Sequence, residues 1–182
     1  MPKTRPAESR DDKMDEILSL AEERLREGGF QALSVAAIAR ELGLAQNAIY
    51  WYFPSKDELF VATMRRMLEK IAARKPSKRV GDLERILWFT DRFEALSGLR
   101  GAMRDRAETS PVVASFAAEL DGLLSRMLSN VLCDHVGEDR LPLAVESFRA
   151  TVDGTFVKGL DKRSRHELLT FTLEQLTAGA IK

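Results

Sequence analysis

A chain of 182 residues, 45% hydrophobic and 31% charged, suits one or two small helix-rich domains and offers no apolar run near the roughly 18 residues a membrane span needs. The polar start MPKTRPAESRDDK lacks a secretory apolar core, so residence in the cytoplasm is expected. Net charge is zero, but residues 1–79 hold 15 of the 28 Lys+Arg and 12 of the 28 Asp+Glu (+3), and the remainder holds 13 and 16 (−3), as a basic reading head on an acidic body would.

Residues 1–11 read as a disordered arm, whose Lys3, Arg5 and Arg10 are within reach of a minor groove or phosphates if the arm is not simply solvated. A first helix is predicted from Asp12 to Glu27, because Met14, Ile17, Leu18, Ala21 and Leu25 repeat at helical spacing. Gly28-Gly29 ends it, and Phe30 and Leu33 turn inward. Ser34 then caps a second helix. Its end also attracts anions, which makes Ser34 a candidate phosphate contact.

Ser34 to Phe53, SVAAIARELGLAQNAIYWYF, carries the pattern of two short helices joined at a glycine turn. Val35, Ile38, Leu42 and Ile49 supply an apolar inner face, Ala39 is small where backbones come close, and Gly43 tolerates positive φ. This spacing is that of a DNA-reading helix-turn-helix. On the second helix, Ile49 and Phe53 should face the protein and leave Gln46, Asn47, Tyr50 and Trp51 outward. Gln and Asn bond adenine edges in the major groove, and a phenol or indole donates to phosphate. The competing reading makes Tyr50 and Trp51 braces for neighbouring helices, and Tyr52 is assigned to that role. Ser55 and Glu58 form a capping box for a fourth helix. Lys56 sits in its first turn, where the helix dipole disfavours a cation unless an anion docks beside it.

The block Ile38-Ala39, Leu42-Gly43-Leu44, Ile49-Tyr50 and Tyr52-Phe53-Pro54-Ser55-Lys56-Asp57-Glu58-Leu59 resembles the TetR family of bacterial transcriptional regulators. The resemblance implies phosphate contacts for Tyr50 and Lys56. It also places Ala45 and Ala48 at DNA-facing positions where family members often carry hydroxyls.

The fourth helix should continue to about Arg74, with a break at Lys75-Pro76-Ser77-Lys78-Arg79. Five more helices are expected: Asp82 to Leu96, Leu99 to Ala107, a long helix opened by Ser110-Pro111 and reaching Asp134, one from Pro142 to Leu160, and a last one opened by a Ser164–Glu167 capping box. The long helix is apolar over so wide an arc, Leu123, Leu128 and Leu132 included, that it should be central. Cys133, the one cysteine, reads as a small buried core residue. Trp88, Phe89, Phe93, Met103, Phe116, Leu120 and Met127 are either plain core or the lining of an apolar cavity. The final two helices carry more apolar surface than a monomer easily buries, which points to self-association through Phe148, Val152, Phe156, Leu169, Leu173 and Leu176. The family resemblance implies the same four-helix contact, and a body that binds a small molecule and so changes the separation of two heads.

The expected architecture is therefore all-α, with a helix-turn-helix DNA-binding domain at 12–58 and a helical regulatory and dimerisation domain at 59–182. The expected function is a ligand-responsive repressor that binds a palindromic operator on double-stranded DNA as a homodimer and is released by a small apolar molecule. The rival from another class is an interaction module that keeps the fold and has lost DNA. No phosphate loop, nucleophile elbow or metal-ligand cluster is legible. His166-Glu167 starts a zinc-protease pattern that Thr170 breaks, so neither enzyme, cofactor nor metal is expected.

Overall fold

In the computed structural model, residues 10–77, 79–94 and 96–178 are described. They form nine helices, and no strand occurs among the described residues: α1 (Arg10–Ala32), α2 (Val35–Glu41), α3 (Gln46–Tyr52), α4 (Lys56–Ala73), α5 (Asp82–Glu94), α6 (Ser97–Ala107), α7 (Pro111–Leu132), α8 (Leu141–Val157) and α9 (Lys162–Ala178). They group into two compact units, one running through Ala73 and including Gly98–Phe116, the other comprising 74–97 and the chain from Ala117. Lys3 and Arg5 of the expected arm lie outside the described residues. Arg10 and Asp11 are not arm; they form the first turn of α1.

The first unit is built where the apolar spacing predicted. Ile17, Ala21 and Leu25 of α1, Ile38 and Ala39 of α2, Ile49 of α3, and Leu59, Phe60 and Met64 of α4 are all buried. α1 packs on α2 and α4, and α2 on α3. Gly28 and Gly29 leave helical geometry, so α1 is kinked at the place where its end was predicted, and a further short turn carries it on to Ala32. Phe30, just beyond the kink, meets Phe60 edge to face at 5.1 Å. A polar tie reinforces the apolar one: the buried carboxylate of Glu22 on α1 receives Lys70 of α4 at 2.6 Å and Arg26 at 2.9 Å. Burial alone would raise the Glu22 pKa, but these two cations outweigh it and hold it below the usual value.

The turn between α2 and α3 shows why glycine is needed. Leu44 N–H donates to Ala39 C=O at 2.8 Å and Gly43 N–H to Arg40 C=O at 3.2 Å, a Schellman closure whose C′ residue must be left-handed. Gly43 supplies φ +66°. The same device sets an unforeseen boundary: Gly159, at φ +62°, closes α8 after Val157 through Leu160 N–H to Thr155 C=O, so the helix does not reach Leu160. The last helix also starts earlier than predicted. Asp161 accepts from Ser164 N–H at 2.8 Å, and Glu167 pairs with Arg163, so Asp161 is the cap and the expected Ser164–Glu167 box does not form.

In the second unit, Ile86 of α5, Val131 of α7, Phe148 of α8 and Leu169 of α9 form one buried cluster; Leu132, Val136, Ala144 and Val145 form another. Val152, Leu173 and Leu176 pack against these clusters. The middle of α7 is less enclosed than its wide apolar arc suggested, with Leu123 exposed. Cys133 is exposed too, because α7 ends at Leu132 and the thiol lies past that end beside Asn130 C=O and Asp134.

α5 and α9 are joined by a charged cluster that no local pattern announced. Arg165 is 1% exposed and reaches Glu94 at 2.7 Å and Asp91 at 3.3 Å; Lys162 and His166 each meet Asp91 at 2.8 Å. Burial would push the Asp91 carboxyl up, but the bonds from Lys162, His166 and Arg165 win and keep it below the ordinary range.

Candidate nucleic-acid interface

α3 has only one buried residue, Ile49, with Phe53 buried just past its end. That anchoring decides the rest, since residues three and four apart share a helical face. Ala45, Gln46, Asn47, Tyr50 and Trp51 are exposed, Trp51 to 65% and Tyr50 to 38%; Ala48 and Tyr52 are half-buried. Both tyrosines of the chain and one of its two tryptophans therefore stand on this single short helix. Gln46 Nε2 donates to the Tyr50 hydroxyl, one helical turn away, at 3.3 Å. Ala45 is the N-cap of α3 and makes no side-chain cap bond.

Ser34 is exposed and caps α2 as predicted, its Oγ accepting from Ala37 N–H at 3.2 Å. Half of the predicted box at α4 also forms, with Ser55 Oγ accepting from Glu58 N–H at 3.0 Å.

Lys56 is half-buried, its ammonium 4.2 Å from the Phe30 ring centroid. Arg106 of α6 approaches the same ring at 5.5 Å and makes a two-pronged pair with Asp57, at 3.1 and 2.6 Å. Desolvation, then repulsion from Arg106, holds the Lys56 pKa below the ordinary lysine value, with Asp57 opposing. Because Asp57 and Arg106 neutralise each other, the local excess charge is the Lys56 cation, and an arriving phosphate would relieve it. Neither Phe30 nor Arg106 was picked out for this role from the sequence. Arg106 lies far downstream in the chain, and no spacing rule joins it to Asp57.

The pair has a pH signature. The hydrogen bond from Arg106, the largest cause, draws Asp57 below its ordinary 3.8 despite partial burial, with Ser110 also donating. A carboxyl lowered on folding contributes stability that is complete above its unfolded pKa and is lost as pH falls through the folded value. Arg106→Gln should therefore lower the urea midpoint near neutral pH, and the gap to the parent should close well below pH 3.8. A gap independent of pH would mean that Arg106 acts by packing alone.

The other predicted sites are placed as follows. Met103 and Phe116 belong to the first unit, Phe116 buried with Arg65 over its ring at 5.0 Å. Trp88, Phe89, Phe93, Leu120 and Met127 belong to the second; Trp88 and Phe89 meet edge to face, and Phe89 stacks on Phe93. None of the seven lines a half-open hollow of about 280 Å³ in the second unit, which Asp82, Leu83, Val131, His135, Thr170, Leu173, Glu174 and Thr177 border. Of the predicted dimer residues, Phe148 and Leu169 are fully buried within the protomer, which leaves them no surface to offer a second copy. Phe156 lies under the Arg165 guanidinium. The large apolar side chains that α8 and α9 do expose are Leu143, Val157, Leu168 and Phe171. Among the described residues, no group of three or more His, Cys, Asp and Glu is placed to hold a metal, and no helix is long and apolar enough to cross a membrane.

An all-α chain whose short third helix is pinned by one isoleucine and turns amides and aromatics outward belongs to the class of helix-turn-helix proteins. The sequence model described as "Bacterial regulatory proteins, tetR family" matches residues 17–63. The HTH-type transcriptional repressor KstR of Rhodococcus jostii is 30% identical over 144 residues, covering 72% of this chain and 63% of the relative, a little under two thirds of its length. A transcriptional regulator from Rhodococcus sp. Rha1 superposes with a TM-score of 0.77 at 20% identity, covering 92% of this chain and 97% of the other. A regulator structure from Saccharomonospora viridis in complex with choline gives 0.71 at 16% identity, with 91% and 97% covered. Residues 17–63 thus carry the sequence pattern of the TetR family, and the relatives and structures that the chain matches are named as transcriptional regulators.

Proposed function

We propose that the protein is a DNA-binding transcriptional repressor of the cytoplasm that grips a palindromic operator as a homodimer and is released by a small apolar molecule. The observation that carries the DNA reading is the outward set Gln46, Asn47, Tyr50 and Trp51 on a helix otherwise anchored by Ile49, with Lys56 beside it. Gln46 and Asn47 read base edges. Tyr50 and Lys56 hold phosphates and Trp51 lies against the backbone, with Ser34 and the small Ala45 and Ala48 at close approach. Residues 12–58 act as the reading head and 59–182 as the regulatory and dimerising body. A two-fold pair of heads suits half-sites spaced by about 34 Å or a multiple. The exposed Leu168 and Phe171 of α9, with Leu143 and Val157 of α8, are the surface that meets the second copy.

A gel shift on genomic fragments over a salt series tests this. Gln46→Ala should relax base preference at a cost of about 1–3 kcal/mol, and Lys56→Ala should weaken all sequences alike and lower the salt slope by about one. Equal losses on every sequence for both variants would overturn the division into base and phosphate contacts. No shift even in dilute salt would leave the interaction-module reading instead.

A further inference from the structure

Trp51 does more than stand exposed. The guanidinium of Arg10, the first residue of α1, lies over its ring at 4.6 Å from the centroid, and Tyr52 meets it edge-on at 5.2 Å. Both Arg10 and Trp51 are exposed, so the stack is at the surface. A guanidinium held over an aromatic face by its charge still has N–H donors to offer two phosphate oxygens. The indole thus holds in place a long side chain that would otherwise lose rotamer freedom on binding.

We propose that Trp51 is the platform that positions Arg10, and that the stacked pair makes one joint contact with the DNA backbone at the flank of the reading helix. The inference rests on the DNA-binding reading and adds to it a residue from α1 and a division of labour. Arg10 supplies the charge, and Trp51 supplies its orientation. Phosphate is favoured over a base edge as the target because a planar cationic fork matches its oxygens, and the base-reading amides Gln46 and Asn47 lie at the other end of the same short helix.

The test is a double-mutant cycle read by operator affinity across a salt series. Arg10→Ala and Trp51→Ala should each weaken binding about tenfold and lower the salt slope by about one, and the double variant should lose about tenfold, not a hundredfold. Trp51→Phe should retain most of the affinity, and Arg10→Lys should lose most of it. A purely structural role for the stack would not move the salt slope, and the urea midpoint of Arg10→Ala should match the parent. Additive losses, or a Trp51→Ala slope equal to the parent's, would overturn the pairing while leaving DNA binding intact. Failure of the parent chain to bind any fragment would overturn both.

Discussion

Phe60→Ala is expected to destabilise the first unit by about 3–5 kcal/mol, the usual cost of removing a buried phenyl ring and leaving a cavity. Phe60 is fully buried on α4 and meets Phe30 in an edge-to-face contact, and the Phe30 ring lies beneath the Lys56 ammonium. The loss is therefore both large and consequential. A domain of ordinary stability has only about 5–15 kcal/mol in total, and removing Phe60 also frees the ring that seats a proposed phosphate contact. Urea unfolding should show a lower midpoint with an unchanged slope. Phe60→Leu, closer in volume, should recover most of the loss. A decrease below about 1 kcal/mol for Phe60→Ala would mean that the site collapses freely and that Phe30 is not held by it.

Phe171→Asp should convert the proposed dimer to monomer. Phe171 is 58% exposed in the protomer, so the substitution costs the core little, and helicity should be largely unchanged. In a two-fold interface the same residue appears on both sides, and an unpaired carboxylate is introduced twice. At about 2 kcal/mol per side, the threshold of a hot-spot residue, dissociation should rise roughly a thousandfold. Sedimentation equilibrium reads this directly, and operator affinity should fall with it. Leu169→Ala is the contrasting variant. It lies two residues away and is fully buried among Ile86, Val131 and Phe148, so it should unfold the second unit more easily without a specific effect on dissociation. A persistent Phe171→Asp dimer would move the contact away from α9.

What local order settles was legible in the chain itself. Apolar side chains at intervals of three and four place α1 and α4 with the correct faces inward, because helical periodicity is a property of the backbone. The turn at Gly43 and the outward set on α3 follow from the same rule, since burying Ile49 fixes the direction of Gln46, Asn47, Tyr50 and Trp51. Tertiary packing decided what periodicity could not. Phe148 and Leu169 looked like surplus apolar surface on their own helices, but α5 and α7 cover them, and the exposed stripe falls on Leu168 and Phe171 instead. Arg165 carries no local mark of burial; only the folded approach of Asp91 and Glu94 from α5 makes a buried guanidinium tolerable. The seat of Lys56 and the stack of Arg10 on Trp51 likewise join residues distant in sequence, brought together by the packing of whole helices.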